Sequence, residues 1–280
     1  MEVMQGIDKG YELHEELLRQ RKELTDSIYY ASYIQSALLP SYKEWYRILP
    51  DSFIYYNPRD IVSGDFYWMK KSRKILAVVV ADCTGHGVPG AFMSIMGISF
   101  LNEIFSRGNV SLARSVLNQL RERVMKALHQ TGGTAEQKDG MDISLCIINY
   151  ETNELQFAGA NQSMYLIRND TLTEIKGDLM PIGIGGKKER SFTNHTTLLE
   201  KDDIVFLFTD GFTDQFGGEK NKKFKYPTFR KLLVDHASLP LKQQGEKIAE
   251  TLEIWKGYNM QVDDVTVLGF RYLKDNDEHI

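Results

Sequence analysis

The stretch ILAVVVADCTGHGVPGAFMS, residues 75–94, constrains the fold more than any other part of the chain. A β-branched apolar segment runs straight into Asp82, and Gly85, Gly87, Pro89 and Gly90 come next, before a helical pattern begins. A strand tip, a permissive glycine loop and then a helix is a common way to hold a ligand against exposed backbone N–H groups. An aspartate at such a tip also simply ends strands and caps the next turn of chain. The other aspartates have to decide between these readings.

Seven further runs read as strands: FIYY (53–56), DFYWM (65–69), ISLCIIN (143–149), LQFAGA (155–160), SMYLIR (163–168), IVFLF (204–208) and VTVLGF (265–270). Helical patterns cover about 88–105, 111–129, 227–237 and 241–257. Helices therefore arrive in pairs between groups of strands rather than after every strand. This order predicts an α+β fold in which two packed antiparallel sheets are flanked by helices. Ahead of the body, Leu17, Arg21, Leu24, Ile28, Ala31, Gln35 and Leu38 recur in alternating steps of four and three, a short coiled-coil seam interrupted by Arg21 and Gln35. Pro40 and Pro50 end the pattern, and SYKEWYRILPD reads as a connector. The expected organisation is a dimerising helix over 1–40, a connector over 41–50, the catalytic body over 51–272 and a polar tail over 273–280. TGGTAEQKDGMD (131–142) reads as a mobile loop, with Asp139 and Asp142 solvating it.

Composition excludes several classes. With 280 residues, 42% of them hydrophobic and 26% charged, the chain can bury a substantial core. A net charge of -4 with no basic stripe argues against a nucleic-acid partner. Purely apolar runs are too short to span a bilayer and the N-terminus lacks a signal-peptide core, so the expectation is a cytoplasmic protein without membrane insertion. Cys83 and Cys146 form neither a disulfide framework nor a zinc quartet, and Cys83 has no activating base near it in sequence.

Four acidic positions stand at strand tips: Asp65, Asp82, Asp210 and the Asp263–Asp264 pair. If two sheets bring those tips to one edge, the carboxylates repel each other unless cations sit among them. Oxygen-only ligation selects Mg²⁺ or Mn²⁺ over zinc. A two-metal site of this kind acidifies a water and polarises a phosphoryl oxygen, as hydrolysis of a phosphomonoester requires.

The ordered set SGDFYW, ADCTGHGVPGAFMS, AGANQSMYLIR, MPIGI, LFTDGFTDQFG and VDDVTVL resembles the SpoIIE-type serine phosphatases, a bacterial branch of the metal-dependent PP2C (PPM) superfamily, over roughly residues 51–272. The resemblance implies an α/β/β/α sandwich with two Mn²⁺ or Mg²⁺ ions at one edge. Carried over residue by residue, Asp82 bridges the ions and the backbone carbonyl of Cys83 binds one of them. Asp65 completes one ion; Asp210 and Asp263, in preference to Asp264, complete the other. It also implies direct attack of a metal-activated water on a phosphoserine or phosphothreonine, with a phosphorylated STAS-type anti-sigma-factor antagonist as substrate. The seam predicts a parallel dimer whose geometry sets the occupancy of one metal site, and the resemblance implies that this is felt through the helix from Val88 to Phe105. Three residues depart from the wider superfamily pattern. His86 lies two positions further from its aspartate than the histidine of the eukaryotic DGHGG motif. Arg59, in NPRDIVSGD, is either a phosphate clamp at altered spacing or a surface ion pair. Asn161 stands about where the eukaryotic branch has an aspartate serving a third metal. Two rival classes stay open: a catalytically silent dimeric signalling module, and a two-metal enzyme acting on nucleotides.

Overall fold

The computed structural model describes residues 2–72, 74–106, 108, 112–131, 138–185 and 190–273. One five-stranded sheet has the order β1 (Ser52–Asn57), β12 (Val265–Arg271), β9 (Ile204–Phe208), β6 (Met164–Arg168), β7 (Thr171–Ile175). The other has the order β2 (Phe66–Lys71), β3 (Ile75–Cys83), β4 (Met141–Asn149), β5 (Glu154–Ala160), β8 (His195–Leu198). Every neighbouring pair is antiparallel. A small ribbon joins β10 (Phe216–Gly217) to β11 (Lys222–Lys223). The helices are α1 (Glu2–Leu38), α2 (Tyr42–Ile48), α3 (Gly87–Ser106), α4 (Ala113–Ala127), the one-turn α5 (Gly211–Asp214), α6 (Tyr226–Asp235) and α7 (Leu241–Lys256).

Strand β3 shows why the layers form. Leu76, Val78 and Val80 face the other sheet and meet Val205, Leu207, Leu268 and Phe270. Ala77, Val79 and Ala81 point the opposite way, onto Ile98, Leu101, Leu117 and Leu120 of α3 and α4. Both faces are apolar because both are covered, and period-two alternation sends the two sets apart. On the far side, Tyr165, Phe206, Phe208 and Val267 pack on Phe229, Leu233, Ile248 and Leu252 of α6 and α7. The result is the expected helix, sheet, sheet, helix stack. The strands that the sequence pattern did not register, β7, β8 and the β10–β11 ribbon, are short and lie at sheet edges or outside the sheets.

Three expectations change. The connector SYKEWYRILPD is helical: Ser41 accepts the Glu44 N–H at 3.2 Å as N-cap of α2. Trp45 is fully buried in the layer between the sheets, its indole N–H donating to Ser52 Oγ at 3.1 Å. In α1, the seam position Gln35 is 4% exposed and turned inward on this chain's own body. Its Nε2 donates to Ser63 O (2.6 Å) and Ser94 Oγ (2.8 Å), and its Oε1 accepts Ser63 N–H (3.1 Å). Leu17, Leu24 and Leu38 remain exposed. Finally, α3 is long and apolar enough to cross a membrane, a property that unbroken apolar runs do not reveal. Here it is a core helix with Met93, Ile98, Leu101 and Ile104 buried. Residues 132–137 of the expected mobile loop and 274–280 of the expected tail lie outside the described residues.

Candidate metal centre

Antiparallel register brings the acidic tips together. Strand β3 ends where β2 and β4 begin, with Phe66 opposite Ala81 and Asp82 opposite Asp142. In the other sheet β9 ends where β12 begins, and Thr209 N–H donates to Thr266 O at 2.9 Å. Asp210 comes after that strand end and Asp263 precedes that strand start. Asp82, Asp142, Asp210 and Asp263 line one open cleft of about 250 Å³, together with Cys83, Thr84, Gly85 and His86. Asp142 corrects the loop-solvating expectation: it is a residue of β4 directly across from Asp82, and a fourth carboxylate of the cleft. Its own signal was present in the sequence, because MDISLCIIN is another apolar run with an acidic tip. Asp139 remains in the preceding loop.

Asp65 lies behind the cleft and is 1% exposed. Its Oδ2 accepts the hydroxyls of Thr209 and Thr266, each at 2.7 Å, while its Oδ1 has no hydrogen-bond partner among the described residues. The two threonines carry no sequence signal of this role. Burial, and then the charges of Asp264 and Asp263, hold Asp65 well above the usual carboxylate range against the pull of those two hydroxyls. Asp82 is raised in the same way, by burial first and then by Asp65, Asp210, Asp263 and Asp142. Asp210 is pushed up to about 6 by burial, then Asp214, Asp263 and Asp142. Burial also raises Asp142 and Asp263. The Cys83 thiol rises well above its ordinary value for the same reason, so it is no thiolate.

The two members of the acidic pair are differently engaged. Asp264 is 3% exposed and spends both oxygens on backbone, Oδ1 accepting Arg59 N–H and Oδ2 accepting Gly64 N–H, each at 2.7 Å. Asp263 faces the cleft and, among the described residues, its carboxylate accepts only its neighbour's N–H, at 2.9 Å on Oδ1. Around the metal loop the backbone is tightly packed. A Cβ on Gly64 would stand 2.6 Å from Gly85 O and 3.1 Å from Cys83 O, and Gly85 itself has φ +84°.

Of the remaining predicted residues, His86 borders the cleft with Nδ1 2.7 Å from Asp60 Oδ2. The Arg59 guanidinium donates to Val262 O at 3.0 Å, beside Asp263, and is in no ion pair among the described residues. Its charge and that of His86 both act to lower the Asp263 pKa. Asn161, with φ +54°, donates to Asp142 Oδ1 at 2.9 Å. The donor set suits a hard divalent cation: it is all oxygen and anionic, with one buried oxygen unpartnered. Among the described residues, no three His, Cys, Asp or Glu side chains already close on a single point. The carboxylates are neighbours in one cleft rather than a finished cage.

Two antiparallel sheets between helix layers are the architecture of the solved PP2C phosphatase domains. The family model described as Stage II sporulation protein E (SpoIIE) matches residues 72–273. The phosphoserine phosphatase RsbU of Bacillus subtilis (strain 168) is 25% identical over 278 residues, 97% of this chain and 77% of that protein. The solved SiaA-PP2C domain of Pseudomonas aeruginosa is 33% identical with a TM-score of 0.82, over 90% of this chain and 98% of that one. RsbX, solved in complex with magnesium, is 20% identical with a TM-score of 0.56, over 79% of this chain and 94% of that one, and attests the fold. The chain belongs to the SpoIIE family and is a protein serine/threonine phosphatase of the PP2C class.

Proposed function

We propose that this chain hydrolyses phosphoserine or phosphothreonine on a partner protein, using two Mn²⁺ or Mg²⁺ ions held by Asp65, Asp82, the Cys83 carbonyl, Asp210 and Asp263. The observation that carries this reading is Asp65: fully buried, one oxygen held by two threonine hydroxyls and the other without a partner. A buried carboxylate oxygen left this way is costly unless a cation or proton meets it. Bound there, the ions would polarise the phosphoryl group and acidify the attacking water. Asp264 positions rather than ligates, pinning the Arg59 and Gly64 backbones so that Arg59 and Asp65 keep their places. Arg59, hung from the Val262 carbonyl beside Asp263, takes a phosphate oxygen through its guanidinium. With Nδ1 engaged by Asp60, His86 has Nε2 left to exchange a proton with the leaving serine oxygen.

The substrate class in this reading is a phosphorylated STAS-type anti-sigma-factor antagonist, supported by membership of the SpoIIE family and by the relative named as a phosphoserine phosphatase. The site of action is the cytoplasm. The working form is a homodimer, supported by Leu17, Leu24 and Leu38 standing uncovered along α1, with 51–272 as the catalytic body. The test is release of phosphate from phosphorylated STAS proteins and from para-nitrophenyl phosphate in Mn²⁺ or Mg²⁺. Hydrolysis of both that is lost with chelator is expected. No turnover at saturating metal would favour a silent module, and competition by nucleoside triphosphates would favour a nucleotide enzyme.

A further inference from the structure

One shoulder of the cleft is apolar and basic, and the chemistry at the carboxylates makes no use of it. Phe216, Ile254, Tyr258 and Met260 are all exposed, Tyr258 fully and Met260 at 87%. They come from β10, the end of α7 and the loop leading into Asp263. Hydrogen bonds tie Phe216 to Met260 and to Asn259, the residue between Tyr258 and Met260. Gln215 Nε2 donates to the carbonyls of Phe216 and Met260, each at 3.0 Å, and Asn259 Nδ2 donates to Phe216 O at 3.2 Å. The same Gln215 accepts Val262 N–H on Oε1 at 3.1 Å, fixing the patch to the backbone beside Asp263. Only Gln261 and Val262 separate Met260 from Asp263, so their Cα atoms lie within about 11 Å. At the tip of the adjoining ribbon, Lys220 and Lys222 are exposed and in no ion pair among the described residues, whereas Lys223 pairs with Asp214 at 2.6 Å.

Hydrolysis of a small phosphoester calls for no such surface. Exposed apolar patches with polar rims mark protein contacts, and aromatic and Met side chains are the types enriched there. We propose that this shoulder docks the phosphoprotein substrate and selects a partner whose phosphorylated residue is flanked by apolar and acidic side chains. The inference rests on the phosphatase reading of the adjoining cleft. Two features choose this occupant. The patch is continuous with the backbone that carries Asp263, so a protein seated with its phosphoserine in the cleft lies over it. The chain as a whole is negative at -4, yet at this ribbon tip Lys220 and Lys222 outnumber Glu219, which draws an acidic segment toward the mouth.

The test uses the full chain in Mn²⁺ with three probes: para-nitrophenyl phosphate, a phosphoserine peptide flanked by Leu and Glu, and the same peptide flanked by Ser and Lys. The double variants Tyr258→Ser with Met260→Ser, and Lys220→Glu with Lys222→Glu, alter only exposed side chains. Each is expected to raise KM for the Leu/Glu peptide roughly ten-fold or more, with kcat and para-nitrophenyl phosphate kinetics unchanged. Equal KM for the two peptides in the wild type, or unchanged KM in both variants, overturns the docking surface. A Tyr258→Ser, Met260→Ser protein that falls from dimer to monomer in light scattering, with peptide kinetics intact, assigns the patch to a second copy and also overturns it. Failure of the wild type on para-nitrophenyl phosphate would instead overturn the phosphatase reading beneath.

Discussion

Asp82 has four carboxylate neighbours, Asp65, Asp210, Asp263 and Asp142, and each raises its pKa. Asp82→Asn removes one charge from that group and one ligand from the proposed ions. Mn²⁺-dependent turnover should fall by a factor on the order of 10³ or more, while the metal-free protein gains stability. A gain of about 1 kcal/mol appears as a rise of about 2–4 °C in the midpoint of a thermal melt. Retained turnover at saturating metal would remove Asp82 from the ligand set. Arg59→Ala should cost roughly 1.5–3 kcal/mol in kcat/KM, the scale of a charge-assisted hydrogen bond, and should weaken inhibition by inorganic phosphate with metal affinity unchanged. Phosphate titration against both proteins checks this. At this scale the sequence was legible where an aspartate ended or opened an apolar run, as at Asp82 and Asp263. Asp142 was obscured by the polar, glycine-bearing stretch before it, which made strand tip look like loop. The roles of Thr209, Thr266 and Asp264 were invisible, because they depend on which strands lie side by side.

Single elements were readable in proportion to how far local pattern decides them. The central strands and the paired helices announce themselves by long apolar periodicity. The edge strands β7 and β8 do not, since one neighbour and a solvated face leave their side chains alternately exposed. The helix α2 was legible in principle, since Ser41 and Glu44 have capping-box spacing, but the flanking prolines make the segment look broken. Trp45 makes α2 part of the core. Trp45→Ala should destabilise the body by about 3–5 kcal/mol in urea unfolding, whereas removing the side chain of a true connector would leave the midpoint in place. Along α1 the apolar stripe is a stripe in the structure too, but periodicity cannot say that Gln35 serves the chain's own Ser63 and Ser94. Charged replacements at Leu24 and Leu38 should therefore lower the mass seen in light scattering and leave the fold of the body unaltered. An unchanged mass would mean that this stripe makes no dimer.

The molecule as a whole carries an inverted pH response in the absence of metal. Asp65, Asp82 and Asp210 have folded-state pKa values above their ordinary ones, so the folded state holds protons that the unfolded state has released. The stability they contribute is complete below about 4 and is lost as pH rises through the folded values, which for Asp210 is about 6. The Asp210 share is on the order of 2–3 kcal/mol. Thermal midpoints of chelated protein should thus fall between about pH 5 and pH 7, where acidic proteins more often gain, and Mn²⁺ should flatten the profile. A midpoint that climbs through this window in chelator would contradict the shifted values. The hydroxyls that Thr209 and Thr266 donate to Asp65 have a mechanical consequence as well. They are a rivet through the sandwich: the carboxylate belongs to one sheet's edge and both hydroxyls to the other's, so this corner resists shear between the layers. Ions bridging Asp82 to Asp210 and Asp263 would drive a second rivet beside the first. Amide exchange at Thr209 and Thr266 should then slow on metal binding far more than at the opposite ends of the same strands, around Ile204 and Arg271, which lie away from the cleft.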